Sequence, residues 1–155
     1  MKFIADNNVG QLDRWLRMMG YDTLFFDGSD DRDMVEAALT EDRIILTRDT
    51  QLMKRGLIAS GRVKAVLIKS DRPELQMRQI MEELDVDTSF KPFTLCLECN
   101  QPLEEKTREQ VKELIPPYVY KTQNQYRQCP RCHRIYWRGT HWQAMTETLK
   151  KFNKD

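Results

Sequence analysis

Ile44-Ile45-Leu46-Thr47-Arg48-Asp49 decides how the rest of the chain is read. Three apolar residues, two of them β-branched, make a buried strand. The run then stops at a hydroxyl, a cation and a carboxylate. A strand that opens onto polar groups at its C-terminal end is where an open α/β sheet carries its chemistry. Alternation along the strand sets Thr47 and Asp49 on one face and Arg48 on the other.

Outward from that strand, the pattern repeats. Lys2 to Asp6 reads as a strand, and Val9 to Met19 as a helix with Leu12, Trp15, Leu16 and Met19 on one face. Gly20 closes it in the left-handed position. Asp22 to Phe26 is a second strand. After the turn Asp27-Gly28-Ser29-Asp30, Ser29 or Asp30 caps a helix running to about Asp42. Beyond Asp49 come a helix from Thr50 to Ser60, a strand from Val63 to Ile68, and a helix that Pro73 opens and that ends near Val86. This βαβαβαβα order predicts an α/β fold: an open parallel sheet flanked by helices, with every strand C-terminus along one edge.

The chain has 155 residues, enough for one domain or one domain with a small appendage. The polar stretch 87–92 lacks periodicity and marks the boundary between residues 1–88 and 93–155. In the second part Glu104 to Ile115 reads as a charged helix ended by Pro116-Pro117, and Thr140 as the cap of a last helix to about Phe152. No apolar run approaches the ~18 residues of a membrane span. Met1 to Asp6 is interrupted by a carboxylate and is no signal peptide, so the cytoplasm is the expected location. The net charge of +1 hides an asymmetry. Residues 1–90 hold 13 Lys and Arg against 17 Asp and Glu, net −4, and residues 91–155 hold 12 against 7, net +5. The basic half fits a nucleic-acid partner; ordinary scatter is the plain alternative.

Asp6 ends the first strand as Asp49 ends the third, and Asp33 lies in the first turn of the second helix. All three therefore belong to one edge. Three carboxylates brought together repel each other, and a hard divalent cation, Mg²⁺ or Mn²⁺, answers that repulsion. Such an ion polarises a phosphodiester and activates water. Each residue also has a simpler reading as a helix cap or first-turn acid. Arg14 and Arg17 are neighbours on the first helix, placed to receive phosphate or to pair with acids.

Asp6, the segment Leu12-Asp13-Arg14-Trp15-Leu16-Arg17-Met18-Met19-Gly20-Tyr21-Asp22-Thr23, Asp33 and Leu46-Thr47-Arg48-Asp49 together resemble the PIN-fold ribonuclease domain. More narrowly, they are similar to the type named for the C-terminal part of the Mut-seven exonucleases, which carries a zinc ribbon. The resemblance implies that Asp6, Asp33 and Asp49 are acidic metal-binding positions and that Thr47 is their supporting hydroxyl. PIN nucleases commonly carry a fourth acid two residues past the equivalent of Asp49. Here Gln51 stands there, with Asp30, Asp31 and Asp71 as candidate substitutes.

Cys96-Leu97-Glu98-Cys99 and Cys129-Pro130-Arg131-Cys132 are separated by 29 residues. Two such pairs supply four thiolates, which suits a closed, structural, tetrahedral Zn²⁺ site. A redox role is the rival, but neither pair sits in a thioredoxin-like unit. His133 and His141 would be surplus to four sulfurs. Around the second pair, Lys121, Arg127, Arg131, Arg134 and Arg138 are interleaved with Tyr126, Tyr136 and Trp137. Cations and aromatic rings so mixed suit single-stranded RNA. Of Tyr136 and Trp137, the one facing inward belongs to the core.

The expected function is metal-dependent endonucleolytic hydrolysis of single-stranded RNA held by the ribbon. The alternative is a non-catalytic single-stranded RNA-binding module. A nuclease masked by a regulatory protein partner is a third reading, supported only by the resemblance.

Overall fold

The computed structural model describes residues 1–152. β1 (Lys2–Asp6) leads through a 3₁₀ turn (Asn7–Val9) into α1 (Leu12–Met18), then β2 (Thr23–Phe26), α2 (Asp31–Glu41) and β3 (Arg43–Thr47). A second 3₁₀ turn (Leu52–Lys54), α3 (Gly56–Ala59), β4 (Ala65–Leu67) and α4 (Pro73–Glu83) complete the first part. The four strands are all parallel, in the order β2-β1-β3-β4. The chain thus winds outward from β1 in both directions, and β1 and β3 lie side by side at the topological switch point.

Alternation along the strands divides the core. Phe3, Ala5 and Leu46 face α1 and α4, packing with Leu12, Leu16, Met77 and Ile80. Ile4 and Ile45 face the other way, against Met34, Val35 and Ala38 of α2 and Ile58 of α3. The predicted first helix is shorter than its periodicity implied. Gly10, at φ 62° and ψ −125°, breaks it from the preceding turn. The helix expected over Thr50 to Ser60 is likewise two short turns. Gly20, at φ 96°, does close α1, with Gly20 N–H on the Arg17 carbonyl and Tyr21 N–H on that of Leu16. A Cβ at Gly20 would lie 2.3 Å from the Lys91 carbonyl oxygen, so the following segment packs directly on this turn.

The second part contains β5 (Glu104–Lys106), α5 (Arg108–Val111), a 3₁₀ turn (Lys112–Leu114), α6 (Pro117–Thr122), β6 (Tyr126–Gln128), β7 (Ile135–Tyr136) and α7 (Thr140–Lys150). Its sheet is antiparallel, in the order β5-β6-β7. The expected Glu104–Ile115 helix is corrected here. Its first residues form an edge strand on β6, where charged side chains are well tolerated. The helix starts only after Thr107, which makes a reciprocal capping box with Gln110. Pro116-Pro117 ends one helix as expected and also begins the next, with Pro117 in its first turn. α7 begins at Thr140, but the residue before it is Gly139 and no side chain caps the helix.

The two parts have separate sheets and a shared core. Phe93, Leu97, Trp142 and Leu149 belong to the cluster that contains α1 and α4. Segment 87–92 is tied down as well. Tyr21 stacks on Phe90 at 4.8 Å and its hydroxyl accepts the Asp87 N–H at 2.8 Å. No helix among the described residues is long and apolar enough to cross a membrane.

Candidate active site and metal centre

At the C-terminal ends of β1 and β3 the sequence places an acid beside a hydroxyl, and the parallel register brings them together. Thr47 Oγ1 donates to Asp6 Oδ2 at 2.8 Å and accepts the Asp49 N–H at 3.0 Å. Asp6 is 6 % exposed and Thr47 is fully buried, so this contact is shielded from competing water. Asn8 completes the clamp. Its Nδ2 donates to Asp6 Oδ2 at 3.2 Å, and its Oδ1 accepts the Arg48 N–H at 2.9 Å. Asn8 thus bridges the two strand ends.

Both acids also serve the backbone. Asp6 Oδ1 accepts the Asn7 N–H at 2.8 Å, and Asp49 Oδ1 accepts those of Gln51 and Leu52 at 2.9 and 3.3 Å. The cap readings therefore hold for one oxygen of each. Among the described residues Asp49 Oδ2 accepts nothing, leaving it available as a ligand. Asp33 is exposed on the first turn of α2, and among the described residues its carboxylate accepts no hydrogen bond. The carboxylates are not drawn together as the cysteine thiols are; the described group of close ligand atoms is the four-cysteine one. Asp30, a candidate fourth acid, has both carboxylate oxygens hydrogen-bonded by the Arg32 side chain. It caps α2, and its hydrogen bonds to the Arg32 side chain hold its carboxyl down to about 2.

The four cysteine Sγ atoms all lie within 4.8 Å of one another, and none is in a disulfide. Cys96 and Cys132 Sγ are 3.7 Å apart, close to the ~3.8 Å edge of a tetrahedron with 2.3 Å Zn–S bonds. The two pairs fold identically. Cys99 N–H points to Cys96 Sγ and Cys132 N–H to Cys129 Sγ, each at 3.4 Å. Asn100 and His133, each one residue further on, share a left-handed φ of 64° and 65°. Their N–H groups return to the Cys96 and Cys129 carbonyls, both at 2.9 Å. Tyr136 OH contacts Cys96 Sγ at 3.2 Å and accepts the Leu97 N–H at 3.1 Å. Burial and the neighbouring thiols push Cys99 up to about 12. Against its own burial, the Arg134 N–H and the other thiols draw Cys132 down to about 7. Four sulfurs crowded this way fit a thiophilic cation, and the donor set and spacing fit Zn²⁺.

The predicted cation set divides. Arg17 is 5 % exposed and unavailable to RNA. It pairs with Asp13 at 3.0 Å, donates from Nε to the Thr23 carbonyl at 2.9 Å, and from Nη1 to the Leu97 carbonyl at 2.7 Å. Burial lowers its pKa and raises that of Asp13, and each charge opposes the other's shift. Arg14 pairs with Glu98 beside it. Arg127 is also largely internal, donating to the Phe93 carbonyl and pairing with Glu105. Arg138 is exposed, with its guanidinium 4.9 Å over the Phe93 ring. Lys121, Arg131 and Arg134 are exposed. Tyr136 ends β7 and Trp137 directly follows it, and both rings are packed. Tyr136 packs on the main core and Trp137 on the ribbon's own cluster of Val111, Ile115, Val119 and Tyr126.

The ribbon docks away from the acids. Asn100 Oδ1 accepts the N–H of Thr23, at the start of β2, and its Nδ2 donates to Asp22 Oδ1 at 2.7 Å. That level is three residues, about 10 Å of strand, from the Asp6 end.

The family model described as Mut7-C RNAse domain matches residues 1–149. The chain belongs to the Mut7-C RNAse domain family. No curated protein and no solved structure matches it. Membership in the Mut7-C family associates the chain with ribonuclease chemistry, and the match spans both the parallel sheet and the four-cysteine ribbon.

Proposed function

We propose that this protein is a divalent-metal-dependent endoribonuclease that hydrolyses phosphodiester bonds of single-stranded RNA held by the ribbon. The observation that carries the reading is the Asp6–Thr47–Asp49 array at the switch point, in a chain of the Mut7-C family. Asp6, Asp49 and, from α2, Asp33 would hold Mg²⁺ or Mn²⁺, and the ion, when bound, supplies water activation and phosphodiester polarisation. Thr47 and Asn8 hold the Asp6 oxygen in place. Lys121, Arg131, Arg134 and Arg138 are the exposed cations for RNA phosphates. The reduced thiols fit a reducing compartment such as the cytoplasm.

The test is cleavage of labelled single-stranded RNA with and without Mn²⁺. Asp6→Asn and Asp49→Asn are expected to lose more than the ~10–100-fold typical of a ligand's supporting partner, with thermal melting near wild type. Thr47→Val, which removes such a partner, should fall within that range. Asp33→Asn decides whether α2 contributes a ligand: wild-type rates would confine the site to Asp6 and Asp49. Undiminished cleavage by both Asp6→Asn and Asp49→Asn overturns the proposal.

The second reading, a single-stranded RNA-binding module without turnover, draws on the lack of a close carboxylate group among the described residues and on Gln51 in the place of a fourth acid. It requires salt-sensitive RNA binding with no products in any divalent ion.

A further inference from the structure

Two clefts adjoin along α1. The first, about 350 Å³, lies between β7, the start of α7 and Arg14, and its walls include Tyr118, Arg134, Trp137 and His141. The second, about 220 Å³, is lined by Gln11, Arg14, Trp15, His141 and Met145. Arg14 and His141 belong to both. Gln11 directly follows the Asn7–Gly10 turn, which begins at Asp6. The second cleft thus ends at Gln11, which the chain joins to Asp6 through that single turn, whereas the cysteine centre sits near the opposite edge of the sheet.

We propose that these clefts form a track for unpaired nucleotides, running from the ribbon past Arg14 and His141 toward Asp6; the assignment of RNA rests on the function proposed above. Tyr118 is 68 % exposed and unneeded by any core cluster, so its ring face is available for stacking on a base. Trp137 lines the same cleft. Arg134 is exposed on this wall; Glu98, which pairs with Arg14, and Cys132 also act on it, and its guanidinium is the cleft's contact for a phosphate. The first turn of α7 adds no acidic residue and no side-chain cap to that wall. Ring faces beside a guanidinium, in a space too small for a duplex, select a strand whose bases are unstacked. The path also explains how a ribbon docked near the strand starts can deliver RNA to the strand ends.

The experiment is anisotropy of a short labelled single-stranded oligonucleotide on the zinc-loaded protein, without added Mg²⁺ or Mn²⁺, so that binding is read without cleavage. Tyr118→Ala should bind about tenfold more weakly and Tyr118→Phe as wild type, because the ring and not the hydroxyl is used. On an abasic strand of the same length, Tyr118→Ala and wild type should be equal. Arg134→Gln should weaken binding on both strands and reduce the salt slope by about one phosphate contact. Wild-type affinity in both Tyr118→Ala and Arg134→Gln overturns the track, as does an equal loss on duplex and single strand. Asp49→Asn should keep its affinity. If Asp49→Asn cleaves normally in Mn²⁺, the hydrolytic reading fails while the anisotropy result still decides the track.

Discussion

The thiol centre and the acidic edge are assembled to different degrees. Four sulfurs from two distant turns converge within 4.8 Å, each turn braced by its own N–H to sulfur contacts. At the acidic edge the Thr47 hydroxyl joins the Asp6 carboxylate to the Asp49 backbone N–H, and among the described residues the three carboxylates form no close group of ligand atoms. A closed tetrahedral site must be complete because its ion is part of the fold. A site that handles substrate needs open ligand positions, and carboxylates repel one another until a cation arrives. Incomplete assembly at one end and closure at the other thus follow from the work proposed for each.

The largest expected effect tests the closed site. Cys132→Ser, or chelation of the metal, should abolish one zinc per chain. Structural zinc contributes an apparent ~10–16 kcal/mol to small modules. Because Phe93, Leu97, Trp142 and Leu149 share the main core, circular dichroism should show the parallel-sheet part melting at lower temperature too. Loss of the ribbon with an unchanged first transition would break the comparison by making the two parts independent.

A smaller effect is expected at the strut between the parts. Arg17→Met would leave the Asp13 carboxylate buried without its partner and the Leu97 carbonyl without its donor, at a cost of ~3–5 kcal/mol. For a chain of this size that is a fall in Tm on the order of 10 °C. RNA affinity of the folded fraction should be unaffected, since the guanidinium is internal. A selective affinity loss without a change in Tm would return Arg17 to the RNA-binding set.

The smallest effect is acid sensitivity at Asp22. Although partial burial raises its pKa, the Arg43 and Asn100 hydrogen bonds hold it below the usual carboxylate range. A carboxyl depressed in the folded state stabilises fully above its unfolded value near pH 4, and the contribution disappears as pH falls through the native value. Asp13, raised by burial, acts in the opposite direction. Denaturant titrations at falling pH should therefore show wild type losing up to about 1 kcal/mol more than Asp22→Asn below pH 4. Parallel curves would remove Asp22 from the acid response.

Much of this was written locally. The alternation of strand and helix, the turn at Gly20 and the two C-x-x-C pairs depend on near neighbours, and each appears where its signal stands. The capping box at Thr107 and Gln110 was equally local. Its signal was masked by the helix-favouring charges of Glu104 to Lys106, which only pairing with β6 makes a strand. The sequence by itself determined the parallel α/β class, the acids at the strand ends and the four-thiol donor set, because periodicity, polarity and ligand chemistry act over a few residues. Tertiary structure alone decided that β1 lies beside β3, that Asn8 joins their ends, that Arg17 and Arg127 turn inward, and that ribbon and sheet share one core. Those outcomes depend on contacts between residues tens of positions apart, where no short pattern states which charge will be buried or what will cover a given face.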